Sequence, residues 1–470
     1  MSEAVPVGTV YAAAAAPPEL APRGWSAHKY IWVLIAAGGL GLPAFLVGWG
    51  AGGPLLGGLI ASVPFALLIL YKPEFGVYLL AIGIPFETLA PVGPATALKI
   101  LGLFTFVSFL IHLVADARVE YRSPAFLLAL ALATWSMLAI MGTQVPELAW
   151  EIVLTRYQLV GLFLLVISLC QTKERVQALY WALVLGALGA AILGFISPAQ
   201  IRGTVQEASR LTIGGQDINQ YAKDLMPAVF LVPFLITRSR GWLRPLLALV
   251  VPVILIALVA TGSRSNYVAL LAGLLVATLM FRGISWPRRV ALCGGVLAVV
   301  GLFVLVIAAS GLWSAGLWER MVEMQQKGLA TGKRQWMWEY AIQMGLDHPL
   351  LGVGPGNYRL EVLRQSVAGN KVPHNDILTF LAETGFPGAI LYCGFVMAVV
   401  VRATKVSVPL LRASLLGLVT AAFVASLANP SFGLKGYWMQ MAAIAVAGTA
   451  FFHPVGSQEK PTLETHPGVT

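Results

Sequence analysis

Residues 176–197 read VQALYWALVLGALGAAILGFIS. The run holds no charged side chain, and its length meets the ~20 residues a helix needs to span a hydrocarbon core. Lys173 and Arg175 stand just before it. The same plan, an apolar run with basic residues at one end, repeats from Tyr30 to Phe452. Of the 470 residues 58% are hydrophobic and 11% charged, with a mean hydropathy of +0.80. A soluble domain carries about 45–50% apolar and about 25% charged residues. A water-facing fold could not hide this much apolar surface. A soluble enzyme, a fibrous protein and a disordered chain are excluded. The chain reads as an all-α polytopic integral membrane protein.

Fourteen candidate spans follow from the apolar runs: 30–49, 53–71, 75–90, 97–115, 124–142, 149–170, 176–197, 221–237, 244–261, 266–281, 289–310, 376–401, 408–428 and 435–453. The 75–90 run is short and contains Pro85 and Glu87, which fits a broken or re-entrant segment. The formal charge is +10, and in a membrane protein the position of the cations decides orientation rather than nucleic-acid binding. Alternate connections carry Lys72; Arg118 and Arg122; Lys173 and Arg175; Arg238, Arg240 and Arg244; Arg282, Arg288 and Arg289; Arg402 and Lys405. The short turns between them, near 50–53, 90–96 and 143–148, carry no Lys or Arg. The positive-inside rule then places both termini in the cytoplasm and predicts an even number of spans, 12–14.

The expected organisation is a cytoplasmic tail over 1–29, then transmembrane helices over 30–310, the first of them from Tyr30 an uncleaved signal anchor, with a periplasmic loop near 198–220. A large loop with amphipathic helices follows over 311–375, C-terminal transmembrane helices over 376–454 and a cytoplasmic tail over 455–470. In the large loop Trp313, Trp318, Met321 and Met324, and again Trp336, Met337, Tyr340 and Met344, recur at helical spacing. Two helices lying on the membrane surface explain both stripes, and so does a small cap packed on the protein alone. Cys170, Cys293 and Cys393 lie far apart in or beside apolar runs and read as small hydrophobes, not a disulfide or metal framework.

Charge near a bilayer is costly and needs a reason. On the predicted outer side lie Lys99, Arg156, Arg210, Lys223, Arg264, Arg334, Lys371 and Lys435. Together they suit an anionic ligand such as a lipid-linked phosphate. The plain alternative is snorkelling to headgroups, for which Lys223 and Lys435 are the first candidates. Gly352-Val353-Gly354-Pro355-Gly356-Asn357-Tyr358 is glycine-rich, yet without a preceding strand or a following GK[ST] it reads as a structural turn. In Lys371-Val372-Pro373-His374-Asn375-Asp376, just before a span, Asn375 or Asp376 can cap the helix. His374 then sits at the outer mouth of the membrane domain, either as a catalytic base or as a neighbour of the cap.

His374-Asn375, nine residues, Gly385, two residues and Gly388 resembles the signature of bacterial O-antigen ligases, members of the O-antigen ligase/polymerase superfamily. Upstream pieces follow in family order: Asp217-Ile218-Asn219 after Arg210, the Ser263-Arg264 turn, Gly332-Lys333-Arg334 followed by Trp338, and Pro349 to Asn357. The resemblance implies a GT-C-like fold, and the family's usual twelve spans mean that fourteen candidates overcount.

The resemblance also implies an inverting, metal-independent and cofactor-free glycosyltransferase on the periplasmic side of the inner membrane. Its donor would be an O-antigen polysaccharide on undecaprenyl pyrophosphate, and its acceptor a hydroxyl of the lipid A–core oligosaccharide. Phosphate binding falls to Arg264 and Arg210, with Arg156 and Arg334 as further candidates. His374 is the expected base, supported by Asn375, Ser263, Asp217, Asn219 and Lys99. Three rival readings stand beside it: an O-antigen polymerase, a protein O-oligosaccharyltransferase, and a lipid or solute transporter.

Overall fold

The computed structural model describes residues 26–89, 91–92, 95–115, 119–196, 210–295, 301, 332–364 and 372–452. Fourteen helices organise the described residues. They are α1 (Ala27–Tyr71), α2 (Glu74–Gly83), α3 (Ala97–Ala115), α4 (Pro124–Leu138), α5 (Pro146–Leu169), α6 (Lys173–Ile196) and α7 (Ile218–Arg238). After them come α8 (Leu243–Ala260), α9 (Arg264–Met280), α10 (Gly332–Asp347), α11 (Tyr358–Arg364), α12 (Asp376–Thr404), α13 (Pro409–Ser426) and α14 (Lys435–Ala450). A helical stretch at 286–295 follows α9. The described strands form one two-residue ladder, Pro91 opposite Thr96 and Val92 opposite Ala95.

Seven of the described helices, α3, α4 with its 3-10 extension, α5, α6, α8, α12 and α13, are long and apolar enough to cross a bilayer. Gly57–Tyr71 and α9 are shorter apolar helices. The chain is a multi-pass, all-α membrane protein. The remaining candidates depart from a plain apolar span in different ways. The 45 residues of α1 fold back on themselves at Gly53, whose φ of +82° is open to glycine at little cost. A Cβ on Gly41 would lie 3.1 Å from the Ala61 carbonyl oxygen, so candidates 30–49 and 53–71 are the arms of one hairpin. The 75–90 run is broken as Pro85 and Glu87 suggest: α2 stops at Gly83 and a 3-10 turn covers Ile84–Leu89. In α7 and α14 the surroundings are protein, not lipid. Every residue from Gly436 to Gly448 is buried, and α7 is buried from Tyr221 to Val232. Part of the 289–310 candidate, Arg118, Lys371 and the Trp313–Met324 stripe lie outside the described residues.

These two central helices are surrounded by α5, α6, α8, α12 and α13. Helix α9 packs closely on α13 where two glycines meet, since a Cβ on Gly273 would stand 2.6 Å from the Gly417 carbonyl oxygen. Outward apolar side chains such as Leu249, Ile390 and Met397 face away from the protein. The stripe of α10 points inward. Met337, Ala341 and Met344 bury against Tyr358, Val362 and Ala382, with Trp336 and Tyr340 partly covered. For α10 the cap packed on protein replaces the surface helix, because α11 and α12 supply the apolar partner that a membrane would otherwise provide.

Candidate functional site

The site is built where α12, α9 and the turn before α14 begin. Asn375 is the N-cap of α12, its Oδ1 accepting from Leu378 N at 3.2 Å. His374, one residue earlier, has φ +53° and is the one non-glycine residue of positive φ among the described residues. That conformation costs an L-residue roughly 1–2 kcal/mol, so neighbours must hold it. On one side Trp338 Nε1 of α10 donates to Pro373 O at 2.9 Å. On the other, the buried Asp376 carboxylate accepts from Ser431 N and Phe432 N, each at 3.0 Å.

The Ser263-Arg264 turn is built from three segments. Arg210 donates from Nε to Thr261 O at 2.8 Å and from Nη2 to Gly262 O at 3.0 Å. Asp217 caps α7 through Asn219 N and Gln220 N. Asn219 Oδ1 accepts from Ser263 Oγ at 2.6 Å, while Asn266 Nδ2 donates to Asn219 O and Ser263 Oγ. Arg264 is left exposed as the first residue of α9. Arg264 thus opens a helix N-terminus, whose N–H groups also favour anions. Arg210, expected on phosphate, spends at least two of its donors on the turn that presents Arg264.

Residues 429–431 join the two halves. Asn429 Nδ2 donates to Ser265 Oγ at 2.7 Å, next to Arg264. Ser431 N reaches Asp376, two residues from His374. Beneath them Lys223 Nζ donates to Asn429 O, Pro430 O and Ser431 Oγ at 2.8–3.0 Å. Lys223 therefore does not snorkel: it is buried and fully occupied in the protein. Lys435 does not snorkel either, since its ammonium pairs with Glu87. The reason is the same in both cases, an oxygen partner within reach that lipid headgroups would otherwise supply.

The glycine-rich segment docks on the kink of α12. Val353 N and Gly354 N donate to Ala382 O and Glu383 O, and Phe386 N donates to Pro349 O. Gly385 at the kink has φ +69°, and a Cβ there would meet Leu350 O at 2.5 Å. The turn is structural, as its sequence suggests. Arg156 lies beneath it, buried, with Nη1 on Ser136 Oγ at 2.7 Å, Nη2 3.4 Å from Glu383 Oε2 and the Phe380 ring 4.9 Å away. The geometry ties Arg156 to the kink of α12 through Glu383. Lys99 is exposed on the first turn of α3, its N–H bonded to Thr96 Oγ1. Arg334 belongs to the first turn of α10, with a side chain outside the described residues.

Sequence reasoning passed over Glu383, Asp376 as a charge, and residues 429–431. Glu383 and Lys223 had a signal, an ionisable group inside an apolar run. Asn429-Pro430-Ser431 has no charge and meets Asp376, Ser265 and Lys223 only through folding, across 55 or more residues of chain, so composition offered nothing.

A family model described as O-antigen ligase matches residues 247–393. The resemblance read from the sequence, to the O-antigen ligase/polymerase superfamily, is borne out over that segment. It runs from α8 into α12 and takes in Ser263-Arg264, Arg334, the glycine-rich turn, His374, Gly385 and Gly388. No curated protein matches the chain.

Proposed function

We propose that the chain is an O-antigen ligase. It transfers an O-antigen polysaccharide from undecaprenyl pyrophosphate to a sugar hydroxyl of lipid A–core oligosaccharide, at the periplasmic face of the bacterial inner membrane. The observation that supports this reading best is the link through Asn429–Ser431, which joins the Arg264 turn to the strained His374 turn.

In this scheme the acceptor hydroxyl oxygen attacks the anomeric carbon from the face opposite the leaving group. The new glycosidic C–O bond forms as the bond to pyrophosphate breaks, with inversion. Pyrophosphate stays on its lipid and its developing charge is met by Arg264, a donor already in place before reaction. The acceptor proton passes to His374, a side chain suited to proton transfer near neutral pH. Arg210 holds the turn that presents Arg264, and both lipid anchors confine their substrates to one plane, which favours in-line encounter. Metal independence is part of the proposal.

The test is a reaction of purified protein with lipid-linked glycan and lipid A–core, read as ligated lipopolysaccharide. Product formation in EDTA is expected. Growth of the lipid-linked glycan without lipid A–core would instead identify a polymerase, and no glycan transfer to any acceptor would sink the reading.

A further inference from the structure

Lys223, Asp376 and the turn Asn429–Ser431 have no direct part in that chemistry, yet they form a densely hydrogen-bonded polar group among the described helices. A buried ammonium is tolerated only where acceptors replace its water. Lys223 finds three acceptors, all on residues 429–431, so its charge fixes the conformation of that turn. The turn then presents its own donors outward in two directions. Ser431 N and Phe432 N hold both oxygens of Asp376 at 3.0–3.2 Å. Asn429 Nδ2 holds Ser265 Oγ.

The turn is itself anchored. Trp438 Nε1 donates to Phe432 O, and the Phe432 ring packs at 4.8 Å from Phe380 and 4.7 Å from Trp438, centre to centre. The Phe432 end cannot shift without disturbing the aromatic core. A left-handed, non-glycine residue persists only where its flanks are over-determined. For His374 those flanks are Pro373, held by Trp338, and Asp376, held by the turn.

We propose that the turn Asn429–Ser431, locked by Lys223 and Asp376, is a positioning element that sets where His374 stands relative to Arg264. It rests on the roles given to those two residues in the ligase reading. The turn does not touch substrate in this scheme. It acts by keeping the proton acceptor and the phosphate donor group in register, and small misplacements of such groups slow reaction about 10²-fold.

The experiment is a double-mutant cycle on the full chain, with transfer rates normalised to folded protein measured by size exclusion in detergent. Asn429→Ala and, independently, Ser265→Ala remove the two ends of one hydrogen bond. Each is expected to lower kcat about 10–100-fold with donor KM nearly unchanged, and the two together should cost no more than either alone. In a His374→Ala background the same changes should cost little further, because the register they set between the base and Arg264 no longer matters once the base is gone. A merely structural turn would give equal losses in both backgrounds. That result, with His374→Ala itself strongly impaired, would overturn the positioning role and leave the ligase reading standing. Full turnover in His374→Ala would overturn the base assignment, and the positioning role with it. Asp376→Asn, which keeps an acceptor for one N–H, should fall between wild type and Asn429→Ala; wild-type kcat in this variant and in Asn429→Ala would also overturn the proposal.

Discussion

Arg156 Nη2 lies 3.4 Å from Glu383 Oε2, with both side chains 7% exposed. The pair crosses from α5 to the kink of α12 and seals the floor of the glycine-rich turn. Removing one partner strands a buried charge, which typically costs about 3–5 kcal/mol. Glu383→Ala and Arg156→Ala are therefore expected to lower the unfolding temperature in detergent sharply. Replacing both, as Arg156→Met with Glu383→Leu, should recover much of the loss. The recovered double variant separates two roles for Arg156. A structural arginine leaves donor KM unchanged there, whereas a pyrophosphate ligand would leave it raised.

Gly385→Ala places a methyl group at φ +69° and 2.5 Å from the Leu350 and Pro349 carbonyl oxygens. The left-handed backbone alone costs a non-glycine residue roughly 1–2 kcal/mol, and the clash adds to it by forcing the glycine-rich turn off α12. The expected outcome is a large loss of folded protein on size exclusion. Gly39→Ala, where a Cβ meets nothing within 4 Å, is the control and should fold as wild type. Equal yields of the two variants would show that the docking of the turn is not what holds the kink.

Much of the fold was legible because hydropathy reports how a helix meets lipid. Runs such as 97–115, 149–170 and 176–197 each correspond to one described helix, α3, α5 and α6. Legibility failed where protein replaces lipid. The stripe on α10 has the same pattern whether it faces headgroups or Tyr358 and Val362. Lys223 looks like a snorkelling lysine until the acceptors at 429–431 are in view. At the site, His374 and Ser263-Arg264 carried local signals: a histidine at a helix cap and an arginine in a hairpin turn. Arg156 carried one too, but a sequence cannot say whether a charge in an apolar run faces a ligand or a partner 227 residues away.

Orientation makes its own prediction. The charge alternation predicts a periplasmic position for His374 and the 311–375 loop. Single cysteines placed in that loop, in a background lacking Cys170, Cys293 and Cys393, should react with a membrane-impermeant thiol reagent in intact spheroplasts. Labelling that requires lysis would reverse the topology and remove both lipid-linked substrates from reach of His374.

His374 and Arg264 fail in different ways if their assigned roles hold. Glycine adopts the left-handed conformation freely, so His374→Gly should keep the φ of +53° without strain and unfold at the wild-type temperature or above it. Its turnover should nonetheless fall by about 10²–10⁴-fold, the range for loss of a general acid or base. Stability and activity then move apart, which a residue serving only the helix cap would not produce. Arg264 is exposed at the start of α9, so Arg264→Ala should leave stability nearly untouched while weakening donor binding and slowing transfer. Arg264→Lys should restore only part of the loss, because a single ammonium replaces a planar fork that can grip two phosphate oxygens. Donor affinity measured on the pyrophosphate lipid, beside turnover with saturating acceptor, reads both roles at once. Wild-type turnover in His374→Gly would end its candidacy as base and leave Arg264 with the acceptor proton unaccounted for.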